Sequence, residues 1–156
     1  MIAMKPQSSA PTAGPPSRGV HTYRQQAAQA WTRIDMLVAT YDAAIAAVVA
    51  GRDLLRDGPG QPLPADRVLR VHHLLLALIE GIDPESGPVA RSVEGLLTAC
   101  LGFVATPNEL KWSAAVRVLE RLRQGFAEIR AEARRLEQSG TIPPLAWEPC
   151  SPGSRV

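Results

Sequence analysis

Proline is the residue that most restricts how this chain can fold. All 14 prolines fall towards the ends or in short joints, and none interrupts an apolar-periodic run. An interior proline removes a backbone donor and clashes with the preceding turn, so a helical protein must place its prolines this way. Pro6, Pro11, Pro15 and Pro16 lie among Ser, Gly and Thr, and that composition predicts a disordered tail over residues 1–20. Residues 140–156, with Pro143, Pro144, Pro149 and Pro152, predict a second, proline-rich tail. Between them the joints are Gly58-Pro59-Gly60 with Pro62 and Pro64, Asp83-Pro84-Glu85-Ser86-Gly87-Pro88, and Thr106-Pro107. These joints divide residues 21–139 into four long helical segments.

The first segment spans about Arg33 to Arg56 and opens on Thr32 with Asp35, a capping-box-like pair. Its apolar stripe is Ile34, Leu37, Val38, Tyr41, Ile45, Val48 and Leu55. A short extra helix is expected before it, around Tyr23 to Ala30. The second segment, about Asp66 to Ile82, repeats Val68, Val71, Leu75, Leu78 and Ile82 at helical spacing. The third, about Pro88 to Ala105, carries proline in the first turn, where its missing donor does no harm. The fourth is expected to use Thr106 as cap, Pro107 at the first position and Glu109 to complete a capping box. It should run unbroken to about Gln138 through Val116, Leu119, Leu122, Phe126, Ile129, Ala133 and Leu136. Arg117–Glu120, Glu120–Arg123 and Glu132–Arg135 are expected as ion pairs on its outer face. With short joints, the expected fold is an all-α, antiparallel up-down bundle of four long helices plus the possible short N-terminal one.

Composition narrows the function. Residues are 46% hydrophobic but only 4% aromatic, so the core must be mainly aliphatic. With 17 basic and 15 acidic residues, the net charge of +2 is too balanced to point to nucleic acid or an anionic membrane surface. No signal peptide is expected at the N-terminus, and no run is expected to reach the ~20 apolar residues of a membrane span. Cys100 and Cys150 are too few and too scattered for a disulfide framework or a metal knuckle, which favours a reducing cytoplasm. His72 and His73 are adjacent on a helix and point about 100° apart, so they cannot chelate one ion together. There is no glycine-rich phosphate loop and no Ser-His-Asp arrangement. Catalytic, cofactor-binding and metal-ligating residues are therefore expected to be absent, and Cys100 reads as an inert core thiol.

The most informative feature is missing charge. Between Asp35 and Arg52 the first helix carries Asp42 alone, and the face opposite its stripe is Ala39, Ala43, Ala46, Ala47 and Ala50. The third helix carries only Glu94 from Ser92 to Thr106, with Gly95, Ala99 and Gly102 as a stripe of small residues. A helix apolar all round is normally buried all round. Two readings stay open: these helices are central and covered by the others, or part of their surface is an apolar groove for a partner helix.

Several segments, in order, resemble the flagellar secretion chaperone FliS family over roughly Thr22 to Gln138. They are Tyr23-Arg24-Gln25-Gln26, Thr40-Tyr41-Asp42-Ala43-Ala44-Ile45, Val71 to Asp83, and Leu122-Arg123-Gln124-Gly125-Phe126. The chain departs from the family where Thr32-Arg33 replaces a Ser-Pro. It departs again where Leu96-Leu97-Thr98-Ala99 lacks the usual tyrosines and where Phe126 stands for a tryptophan. The resemblance implies a cytosolic helical bundle that binds the C-terminal region of flagellin, keeps it from polymerising and releases it at the flagellar export apparatus. It also implies that the segment around Tyr23 acts as a movable cover. The candidate contact residues are then Tyr23, Leu37, Ala39, Tyr41, Asp42, Ala43, Ile45 and Ala46, with Gly95, Ala99 and Gly102 from the third helix. The alternative is a helical regulatory or scaffold module that binds another protein.

Overall fold

The computed structural model describes residues 32–143; the segment around Tyr23 and nearly all of the two expected tails lie outside them. Helix α1 spans Arg33–Asp57, α2 Ala65–Glu80, α3 Pro88–Val104, α4 Glu109–Glu128 and α5 Arg130–Gln138, with a single 3-10 turn at Pro84–Ser86. Among the described residues helix is the only regular secondary structure. The long helices form a ring: α1 packs on α2 and α4, and α3 packs on the same two. Consecutive long helices joined by short turns run antiparallel, as expected for an up-down bundle.

The local signals behave largely as their chemistry requires. Thr32 caps α1 and accepts from the Asp35 amide, while the Asp35 carboxylate accepts from the Thr32 amide, so the capping box is complete. Gly87 at φ +134° turns the chain from the 3-10 turn into α3, and Pro88 fills the first turn. The start of α4 differs from expectation. Asn108, not Thr106, is the cap, and its side chain accepts from the Lys111 amide at 3.1 Å. The carbonyl of Thr106 instead receives the Trp112 indole N–H at 3.0 Å. The fourth helix is also not continuous. It breaks at Ile129, and the residues beyond, as α5, turn Arg130 and Arg134 onto the start of α1.

That contact is a buried carboxylate held by two arginines. Asp35 is 6% exposed and accepts from Arg130 Nε at 2.6 Å, from Arg134 at 2.6–3.1 Å and from Thr32. It lies beneath the two guanidinium groups rather than in the apolar core. Burial alone would raise its pKa, but hydrogen bonds from Arg134, Thr32 and Arg130 outweigh burial and hold the carboxyl well below the usual carboxylate range. The backbone N–H of Arg33 also donates to Glu137 at 3.1 Å, so α5 latches the first turn of α1.

The core is aliphatic around two aromatic positions. Val48, Leu75, Leu97, Leu119 and Cys100 are fully buried, each aliphatic side chain contributing about 1.5–3 kcal/mol. Tyr41 is buried and stacks on Phe126 with ring centroids 5.4 Å apart. Trp112, also fully buried, packs closely against Gly51 of α1. Neither charge-poor helix is central: each occupies one corner of the ring, with a buried stripe and an outward face. Among the described residues α1 is long and apolar enough, by length and composition, to cross a membrane, which corrects the expectation that no segment reaches that limit. Its alanines count as apolar in composition although many are only half-buried here.

Candidate functional site

Because α1 and α3 do not sit at the centre, part of their uncharged surface faces outward. On α3, Val89, Leu96, Gly95, Ala99 and Gly102 are exposed. A Cβ built on Gly95 or Gly102 would meet nothing within 4 Å, so these glycines do not serve a close helix–helix approach inside the bundle. Ala99 lies one turn from both Leu96 and Phe103, so the three form one strip along α3.

The strip borders a groove between α3 and α4 of about 480 Å³. Its floor is Leu96, Phe103, Ala114, Val118 and Leu122, and Arg117 and Arg121 stand at its side. Leu96 is 43% exposed. The α4 residues follow the 3-4 spacing of one helix face, and eight residues at 1.5 Å rise make the floor about 12 Å long. A second, smaller groove of about 250 Å³ lies between α1 and α2, lined by Ala43, Ala46, Ala47, Ala50, Arg67 and Arg70. Both are shallow and apolar with arginine at the edge, a form suited to another helix and not to a small polar substrate.

The residues singled out from the sequence divide among these places. Ala43 and Ala46 line the α1–α2 groove, and Ala39 is half-buried on the same helix. Gly95, Ala99 and Gly102 belong to the outward face of α3, so they do not join the alanines in one groove. Tyr41 corrects an expectation: at 1% exposure and against Phe126 it is a core residue that a client cannot touch, because it lies within the buried stripe of α1 between Val38 and Ala44. Leu37 and Ile45 are half-buried and pack against the core cluster. Asp42 is exposed but occupied, accepting from Arg123 Nε at 2.9 Å across the α1–α4 seam. Arg123 therefore reaches Asp42 and not Glu120, and of the three ion pairs expected along the helix only Glu132–Arg135 forms, at 2.7 Å. Tyr23 lies outside the described residues.

The α3–α4 groove was the part that sequence reasoning missed. Of its floor only Leu122 belongs to the periodic apolar run expected to face the core; Ala114 and Val118 lie outside that run. The available signal was the alternation Ala114, Arg117, Val118, Arg121, Leu122, an apolar line flanked by cations on a face next to the core stripe.

The remaining chemistry is quiet. Cys100 is fully buried, and burial pushes its thiol up to about 11. Burial and the neighbouring Cys100 likewise raise the Tyr41 phenol to about 12. His72 Nδ1 lies 2.9 Å from the Val68 carbonyl one turn back, and His73 points to solvent. Among the described residues no three His, Cys, Asp or Glu side chains gather as metal ligands.

No protein-family model, curated protein or solved structure matches the chain.

Proposed function

We propose that this bundle is a cytosolic export chaperone that holds the C-terminal region of flagellin, one to one, and keeps it from polymerising before it reaches the flagellar export apparatus. One observation carries the binding half of this reading. The outward strip of α3, from Val89 through Leu96 and Ala99, is apolar and continuous with the groove floored by Phe103, Val118 and Leu122. Exposed apolar surface flanked by polar residues is the mark of a protein-binding face. The choice of client rests on the FliS-like order of Tyr23-Arg24-Gln25, Tyr41-Asp42 and Leu122-Arg123. The client's apolar area supplies affinity, and the ordering of its helices opposes it.

Calorimetry with the C-terminal fragment of the flagellin from the same cell tests the proposal. The parent protein should bind one fragment. Leu96→Glu should leave the fold intact, because the side chain is already 43% exposed. It should weaken binding by on the order of 2 kcal/mol, since it sets an unpaired charge against apolar client surface. Ala43→Glu is a poorer probe than the sequence suggests, because Arg67 and Arg70 line the same groove and would pair with the new carboxylate. Folded parent protein that gives no heat and no complex with the fragment would reject the flagellin reading and favour a helical scaffold for another protein.

A further inference from the structure

The two arginines beside the α3–α4 groove have no work to do inside the bundle. Arg123 of α4 reaches Asp42, Arg130 and Arg134 of α5 close on Asp35, and Arg135 takes Glu132. Arg117 and Arg121 pair with nothing among the described residues. Glu120 lies between them on the same helix, and the structure pairs it with neither. They are four apart, so their side chains project from one face about one turn from each other. Both line a floor made of Leu96, Phe103, Ala114, Val118 and Leu122. Among the described residues no carboxylate lines this groove.

A helix lying on that floor would cover the stems of both arginines and remove water from around their guanidinium groups. Guanidinium that loses water without gaining an anion opposes binding, whereas a carboxylate at the same place restores two charge-assisted hydrogen bonds. We infer that the α3–α4 groove selects an amphipathic client helix whose apolar stripe is flanked by two carboxylates one turn apart, which Arg117 and Arg121 receive. The inference rests on the reading that this face receives a client helix, and it adds the charge pattern by which that helix is chosen. A floor about 12 Å long takes two to three turns of such a helix.

Two synthetic peptides of about 18 residues, long enough to form helix on contact, test it. They share one leucine stripe at 3-4 spacing and differ only at two flanking positions four apart, Glu in one and Lys in the other. Binding is read by fluorescence anisotropy at about 0.1 M and about 1 M salt. The Glu peptide should bind at least about fivefold more tightly at the lower salt, and the gap should shrink at the higher one. Arg117→Glu combined with Arg121→Glu should reverse the preference, with circular dichroism unchanged because both side chains are exposed. Arg67→Glu combined with Arg70→Glu, at the α1–α2 groove, should leave the preference as it is in the parent. Equal binding of the two peptides, a preference that survives reversal of Arg117 and Arg121, or no binding of either peptide would overturn the inference. The flagellin fragment separates this failure from that of the chaperone reading. If the parent still binds the fragment and Leu96→Glu still weakens it, the client site stands and only its charge selection is wrong.

Discussion

Replacing Gly51 by alanine should destabilise the protein, although in most helices the same change stabilises. Alanine in a helix interior is favoured over glycine by about 1 kcal/mol. Gly51 lies in the buried stripe of α1, where Trp112 of α4 crosses it. A Cβ there would stand 2.8 Å from Cη2 and 2.9 Å from Cε3 of the indole, and nearer still to Cζ3. Carbon atoms in contact rest about 3.5–4.0 Å apart, so ring or helix must move by the better part of an ångström. The ring has nowhere to go: it is 0% exposed, and its N–H is held by the Thr106 carbonyl at 3.0 Å. Overpacking of this kind costs about 1–3 kcal/mol, occasionally more, and losing the indole hydrogen bond adds about 1 kcal/mol. Set against the propensity gain, the net loss is about 1–3 kcal/mol, or roughly 4–12 °C in Tm for a domain of this size. Thermal unfolding followed by circular dichroism measures it. A double-mutant cycle sharpens the result, because in a Trp112→Leu background the same Gly51→Ala change should be neutral or stabilising. An unchanged or raised Tm for Gly51→Ala in the parent would refute the close approach of α1 and α4.

Asp35→Asn should cost about 1–3 kcal/mol at pH 7, through the weakened latch between α1 and α5. The Asp35 carboxyl is held below its ordinary pKa, so its contribution is fully present above about pH 4 and fades as pH falls below that. Urea unfolding of parent and variant should therefore differ equally at pH 7 and 5 and converge in stronger acid; divergence on acidification contradicts the latch. Asp42→Ala removes only an exposed ion pair with Arg123, and a loss above about 1 kcal/mol would show that the pair does more than its exposure allows. Native Cys100 should react with a thiol reagent only as fast as the bundle opens, because its thiol is sealed and held up to about 11. Immediate labelling of Cys100, located by mass spectrometry, would contradict that burial.

Much of the architecture was legible because it is set by interactions a few residues long. Prolines are kept out of helix interiors, Thr32 and Asp35 close a cap three residues apart, and the stripe Val71, Leu75, Leu78 faces one way at any position in a bundle. Four long helical segments, their order and the inward face of most of them therefore follow from residues close together along the chain. The sequence pointed to Thr106 as the cap of α4, and the structure gives that place to Asn108, while the Thr106 carbonyl receives the Trp112 indole six residues on. The sequence did not settle the partners of long charged side chains, which reach as far across a seam as along a helix: Arg123 chose Asp42, and Arg130 and Arg134 chose Asp35. Tertiary structure alone decided where the charge-poor faces point. Gly51 and Gly95 are the same residue, each in a charge-poor helix, yet one is pressed against an indole and the other meets nothing within 4 Å. Periodicity measures the angle of a side chain around its own helix, whereas burial depends on which neighbouring helix stands at that angle, and only the packed ring supplies that neighbour.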